Sequence, residues 1–499
     1  MKQRFLGFIA TILFCGTLSA QDVPNAADFL YGPPAGTSMQ YINDYFQYIW
    51  GKSERDTERG KQAVSDFNTE ISTYLKAYST VLGIDLTSGM PKLNILFDYC
   101  MTYGKMTQEK AQAVPEFFYR RPYARYNEPS LIPSLESTYR NTSSFPSSQA
   151  LFGWMYAMIL VEIAPNLQDE ILARGYEFGS SSVISGYHWV SDIYQGFLLA
   201  SALVARLHTH SGFNGMVTAA RSEYESKSGV HNPTSGGNED CYYTIEELPD
   251  GYKYLPLPPD SLSAFFACDM SAHQEGIVTR TDPNQREAAQ MALNDITYSV
   301  ENFCNVYSPY FGKTISESAT PQIYKLMDKV HPSGNGATQT TKAHYMRLRP
   351  YVRMNEGTAY PPDEDELRYT GSYPSGHASG SWLHALVLAE INPDAEEELL
   401  LRAYKFGQGR NITGYHWQSD VDMGRLIASA VYARLHTSTE FMEQLERAKQ
   451  EFKGGSAVRS VKADDENANA RIYTLEGIPV EGQPKQSGIY IQGNKKVAY

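Results

Sequence analysis

Long apolar runs are nearly missing from this chain. The only marked one, Phe5 to Phe14, is too short to cross a bilayer as a stable helix, and nothing else approaches about 18 unbroken apolar residues, so no membrane span is expected. Basic charge is also in deficit. Forty-three Lys and Arg against 56 Asp and Glu leave a net charge of −13, which excludes the basic face that nonspecific nucleic-acid binding requires. Cysteine is sparse, with 5 in 499 residues and none in a CxxC pair. HxxEH and DxDxDG motifs and paired-carboxylate clusters are missing too, so neither a metal nor another cofactor is expected.

What is present begins with an address. Lys2 and Arg4 precede the apolar run, and the small residues up to Ala20 follow it. This is the pattern of a secretory signal peptide over residues 1–20, and it predicts a secreted or periplasmic protein. Cys100, Cys241, Cys268 and Cys304 then remain, enough for two disulfides in an exported protein or for four buried thiols.

The chain repeats itself. RRPYARYNE (120–128) matches LRPYVRMNE (348–356), and SGYHWVSD (185–192) matches TGYHWQSD (413–420). Residues 145–179 match 373–407 over their whole length. Arg121 and Arg349, Pro146 and Pro374, and His188 and His416 are each 228 residues apart, so no gap interrupts this stretch. Upstream, FLYGPP near residue 29 corresponds more loosely to YLPLPP near residue 254. The repeats are therefore expected over 24–228 and 250–453, joined by a linker at 229–249 with HNPTSGGNED as its turn-forming part.

The pattern is helical. LHALVLAEI (383–391) has apolar residues at helical spacing and stops before Asn392-Pro393; 394–407 is rich in helix formers; 421–436 is apolar and Ala-rich. Convincing alternating strands are scarce, so the expected class is all-α, two tandem helical bundles. Residues 454–499 differ. IYTLEGIPV and GIYIQGNKKVAY carry strand-like alternation and resemble the short C-terminal tails of exported Bacteroidetes proteins, which allows a cell-surface location.

Three clusters in the second repeat carry chemistry: Lys342-x6-Arg349-Pro350, Pro374-Ser375-Gly376-His377, and Arg410-x5-His416-x3-Asp420. Singly, each is ordinary: solvated cations, a turn, a surface ion pair. Their combination, in this order and spacing, resembles the signature of the bacterial class A nonspecific acid phosphatases, in the superfamily of type 2 phosphatidic acid phosphatases and vanadium haloperoxidases. LRYTGSYPSGHAS (367–379) and GYHWQSDVDMGRLIASAVYARLHT (414–437) extend the likeness across the repeat.

The resemblance implies a metal-independent phosphomonoesterase acting on small phosphate esters. His416 would be the nucleophile that forms a phosphohistidine, Asp420 its orienting carboxylate and His377 the leaving-group acid. Lys342, Arg349, Ser375, Gly376 and Arg410 would bind phosphate. The residue chemistry agrees. A nearly dianionic ester needs several fixed donors, which guanidinium forks and a helix N-terminus supply. On a helix, Asp420 would sit one turn after His416 on the same face. Gly409 stands where the family usually has serine, so one hydrogen bond near the phosphate is expected to be missing. The same clusters can bind vanadate, which keeps a haloperoxidase as an alternative, beside a non-catalytic anion-binding surface protein.

The first repeat reads as disarmed. Lys342 corresponds to Val114, Gly376 to Ser148, His377 to Gln149 and Arg410 to Ser182, while Arg121, Ser147, His188 and Asp192 remain. Its expected role is structural. The family tends to oligomerise, so a homo-oligomer or a pairing of the two repeats within one chain is the expected assembly. The tyrosine clusters around the linker, His384 and His436 are read as packing residues.

Overall fold

The computed structural model describes residues 22–233 and 236–454, together with the backbone of 472–474, 479–480, 489–492 and 495–498. The expected signal peptide at 1–20 lies outside these residues.

The first repeat contributes α1 (Met39–Ser53), α2 (Glu58–Asp66), α3 (Ile71–Leu82), α4 (Pro91–Gln112), α5 (Ser148–Ile163), α6 (Gln168–Ile184), α7 (Val190–Thr209) and α8 (Phe213–Ser228). The second contributes α9 (Ala264–Thr281), α10 (Arg286–Asn294), α11 (Val300–Phe311), α12 (Pro321–Gly336), α13 (Gln339–Tyr345), α14 (Gly376–Ile391), α15 (Glu396–Thr413), α16 (Gln418–Leu435) and α17 (Thr439–Gly454). Short helical turns link them, and the fold is all-α as expected. Residues 22–452 form one compact unit. The C-terminal unit is described by four short antiparallel strands, β1 (Ile472–Thr474), β2 (Pro479–Val480), β3 (Ile489–Gln492) and β4 (Lys495–Ala498), in the order β2-β1-β3-β4. The strand character expected for the tail is therefore present.

Two helices organise the core. In α5 and α14 almost every residue is buried, so neither has a polar face. Such helices belong in the middle of a bundle. Each starts at a serine cap, Ser147 or Ser375, whose Oγ accepts from the backbone N–H of Ala150 or Ala378 at 3.3 Å. Each stops before a proline, Pro165 or Pro393, as the chain pattern predicts. α5 packs on α6 and α7, and α14 on α15 and α16.

The repeats share this core through reciprocal contacts. Trp154 Nε1 donates to Ser429 Oγ at 2.8 Å, and Trp382 Nε1 donates to Ser201 Oγ at 3.1 Å. Both tryptophans and both serines are 228 residues apart, so the contact has the self-complementary form of a two-fold interface. The His208 and His436 rings stack at 3.9 Å, with Glu162 on one and Glu390 on the other, each at 2.9 Å. His436 and His384 are thus packing residues. His384 is buried with Nδ1 on the Gly380 carbonyl.

The second half of the linker is packed, because Tyr242, Tyr243 and Leu248 are buried and Tyr243 Oη meets Thr437 Oγ1 at 2.7 Å. The four cysteines are free thiols. Cys100 and Cys304 are buried in α4 and α11, and Cys268 Sγ donates to the Met39 carbonyl.

Candidate active site

Lys342, Arg349, Gly376, His377, Arg410 and His416 line one cavity of about 440 Å³ in the second repeat. Five segments bring them together. Lys342 stands on α13, Arg349 caps the short helix Pro350–Met354, Gly376 and His377 open α14, Arg410 is in the last turn of α15, and His416 precedes α16.

His416 and Asp420 are not on one helix, contrary to the sequence reading. The cap of α16 is Trp417, so His416 lies outside it, while Asp420 sits in its first turn and accepts from the Trp417 N–H at 2.9 Å. A reverse of the chain, rather than helical phase, brings His416 Nδ1 to 3.4 Å from Asp420 Oδ2. Nε2 faces Arg349 Nη1 at 3.2 Å. Because a guanidinium only donates, Nε2 holds the lone pair and Nδ1 the proton.

Behind this pair stands Arg347, which sequence reasoning missed. Its Nη1 reaches Asp420 Oδ1 at 2.5 Å and its Nη2 reaches Asp269 Oδ2 at 2.6 Å. Asp269 on α9 also accepts from Ser419 N and Oγ. Burial pushes the Asp420 carboxyl up, but Arg347 and His416 outweigh it and hold it at about 2.

The cations are costly to bury and are arranged for an anion. Burial, then Arg349, pushes the Lys342 ammonium down to about 7, and burial brings Arg410 down to about 10. His416 is lowered to about 3 by burial, and His377 well below its ordinary range by burial and Arg410. His377 Nε2 donates to the Ile296 carbonyl at 2.9 Å, which leaves Nδ1 to exchange a proton. A Cβ at Gly376 would lie 2.1 Å from Asn335 Oδ1 and 3.2 Å from Lys342 Nζ, so glycine lets α14 start this close to the lysine without displacing the Asn335 side chain. Ser375 is buried at the cap, with its N–H on the Asp420 carbonyl at 2.8 Å.

Gly409 has a different meaning from the one expected. A Cβ there would touch Ala292 at 3.3 Å, and Gly409 does not line the cavity. Its replacement of serine is a packing matter against α10.

The first-repeat cavity measures about 300 Å³ and is lined by Arg121, Gln149 and His188 among others. Arg121 repeats the contacts of Arg349, with Nη1 on the Tyr187 carbonyl and 3.3 Å from His188 Nε2. Gln149 Nε2 donates to the Phe67 carbonyl at 3.1 Å, as His377 does to Ile296. Ser147 keeps its cap, and Asp192 keeps the bond to the Trp189 N–H. The counterpart of Arg347 is Tyr119, whose hydroxyl goes to Asp44 and not to Asp192. Asp192 Oδ1 has no partner among the described residues, and burial raises this carboxyl to about 7. His188 Nδ1 stays 3.5 Å from Asp192 Oδ2, much as His416 Nδ1 does from Asp420, and also meets the Ser144 carbonyl at 2.7 Å.

Comparison with known proteins matches both repeats, at residues 108–215 and 333–441, to the PAP2 superfamily model. A protein named non-specific acid phosphatase from Providencia stuartii is 40% identical over 215 residues, 43% of this chain and 85% of that protein. One of the same name from Salmonella typhi is 38% identical over 220 residues, 44% of this chain and 86% of its own length. An acid phosphatase from Zymomonas mobilis is 29% identical over 204 residues, 41% of this chain and 75% of that protein. Among the described residues no helix is long and apolar enough to cross a membrane.

Proposed function

The chain belongs to the PAP2 superfamily, and on that footing we propose that it is a secreted, metal-independent acid phosphatase that hydrolyses phosphomonoesters in the second-repeat cavity through a phosphohistidine on His416. The observation that carries the reading is the convergence of two buried arginines, a half-buried lysine and two neutral imidazoles on one cavity.

His416 Nε2 attacks phosphorus while the bond to the leaving oxygen breaks, and His377 Nδ1 delivers a proton to that oxygen. Lys342, Arg349, Arg410 and the first N–H groups of α14 hold the equatorial oxygens as charge spreads over them. Asp420, kept ionised by Arg347, fixes the Nδ1–H tautomer and stabilises the positive ring that forms. His377 then takes a proton from water as the water oxygen bonds to phosphorus, the P–N bond breaks with its electron pair returning to His416 Nε2, and phosphate leaves.

The acid preference follows from the depressed imidazoles. With both rings neutral in the empty cavity, the leaving-group proton has to arrive with the substrate. A phosphomonoester carries that proton below its second pKa of about 6, and transfer to His377 makes the acid. The first cavity, with Gln149 in place of that acid, is read as non-catalytic.

The test is hydrolysis of p-nitrophenyl phosphate from about pH 4 to about pH 9, with and without EDTA. Acid-side activity that resists EDTA, vanishes in His416→Ala and survives in His188→Ala supports the reading, as does an acid-labile, base-stable phosphoenzyme on rapid quenching. No turnover at any pH returns the protein to an anion-binding role, and loss in His188→Ala alone moves catalysis to the first repeat.

A further inference from the structure

The first-repeat cavity has lost two of three cations and the counterpart of His377 and is nevertheless open. Arg121 donates to the Thr142 hydroxyl and to the Ser143 and Tyr187 carbonyls, which is a structural role, yet it also lines the cavity and brings a positive charge to it. Its side chain is 5% exposed, and no carboxylate lies within ion-pair distance of it among the described residues. An unpaired buried guanidinium is costly to keep, and a bound anion offsets that cost.

Charge and shape specify the anion. The second cavity offers three cations to a dianion; the first offers one, since Val114 and Ser182 replace the other two. His188 adds no charge, because burial and Arg121 hold it well below its ordinary range. The mouth has changed in the same direction. Asp363 and Glu366 line the second cavity, and their counterparts are Leu135 and Thr138. Tyr139, in place of Leu367, stacks its ring 5.3 Å from the Arg121 guanidinium, and Phe67 packs on Tyr187 at 4.4 Å. Both cavities have aromatic walls, Tyr298, Tyr360 and Tyr415 in the second and Phe67, Tyr139 and Tyr187 in the first, but only the second adds carboxylates. Gln149 keeps the hydrogen bond of His377 to the preceding loop but cannot pass a proton.

We propose that the first cavity binds singly charged anions with an aromatic body, sulfate monoesters or arylcarboxylates, on Arg121 and the first N–H groups of α5, without turning them over. The proposal does not depend on turnover at His416.

The experiment is calorimetric titration of the full chain with phenyl sulfate, in inorganic phosphate that saturates the second cavity. One site per chain is expected to persist, and to weaken at least about tenfold in Arg121→Met through loss of the charge-assisted contact. Leu135→Asp, on a half-exposed residue, places a carboxylate at the mouth and is expected to weaken it as well while kcat for p-nitrophenyl phosphate stays unchanged. This variant carries the test if Arg121→Met does not fold. Phenylacetate, titrated in parallel, separates a carboxylate from a sulfate preference. Heat from neither probe, full loss of heat under phosphate, or affinity unchanged in Leu135→Asp overturns the proposal. A chain without phosphatase activity that still binds phenyl sulfate leaves it standing.

Discussion

Arg347 Nη1 lies 2.5 Å from Asp420 Oδ1, on the far side of the carboxylate from His416. In the first repeat the equivalent oxygen of Asp192 has no partner among the described residues, and a tyrosine stands at the arginine's place. The two carboxyls differ accordingly: about 2 for Asp420 and about 7 for Asp192. Burial acts on both, and the arginine, with His416 adding to it, keeps Asp420 an anion in acid.

Arg347→Gln should therefore convert the second repeat toward the first. Asp420, now held down, stays ionised through the acid range; without the arginine its pKa rises toward that range and it protonates as pH falls. Turnover at acid pH should drop about 100-fold, with a smaller loss above neutrality and little change in KM. A pH profile of kcat distinguishes this from unfolding, which lowers activity at every pH.

Lys342 is protonated in the empty cavity only below about pH 7. Its folded pKa lies under the unfolded value, so the protonated lysine opposes folding below about pH 7, and the penalty fades as pH rises from there toward the ordinary lysine range. Bound phosphate reverses the sign, because it favours the ammonium. Lys342→Met should raise the Tm of the ligand-free protein at acid pH, shrink the Tm increase caused by phosphate, and raise KM about tenfold. Thermal scans with and without phosphate would check all three.

At the repeat interface Glu390 accepts from His436, Tyr432 and Lys449. Burial opposes its charge, but Lys449 and His436 outweigh burial and hold it well below the usual carboxylate range. Its contribution is present above the unfolded pKa and lost as pH falls through the folded one. His208 runs the other way. Burial lowers it, but Glu162 outweighs burial and raises it, so its contribution is complete below the unfolded imidazole pKa and lost as pH climbs through the folded one. The interface should be firmest in mildly acid solution. Glu390→Gln should cost about 3–5 kcal/mol, the usual result of breaking a buried pair, in urea unfolding at pH 6.

Asp363 and Glu366 on the rim of the active cavity should repel substrates whose leaving group is itself anionic. Asp363→Asn with Glu366→Gln is expected to raise kcat/KM for a nucleoside triphosphate about 3–10-fold relative to p-nitrophenyl phosphate. High salt should erase the difference.

The constant spacing of 228 between repeats singled out Lys342, Arg349, Gly376, His377, Arg410 and His416 among the residues lining the cavity, because groups repeated or lost in register identify themselves. Asp269 escaped because its segment runs at another spacing. Ser38 and Ser263, Asp44 and Asp269, and Gly51 and Gly276 are each 225 apart, so a difference of three residues hid the match. Arg347 escaped because an arginine two places before a phosphate-binding arginine carries no mark of its direction. Helical spacing misled for His416 and Asp420, since i and i+4 also meet across a helix cap. Gly409 misled because a neighbour in sequence, Arg410, points into the cavity while position 409 faces Ala292.

The tryptophan–serine bonds between repeats have a consequence for mass action. Two separate copies joined by the same contacts would come apart on dilution, and every substitution would fall on both. With the copies on one strand of peptide, the second is always present at high effective concentration, whatever the number of molecules in solution. Inheritance is also uncoupled: one half of the pair can drift away from hydrolysis while the other keeps it, and the partnership survives the divergence.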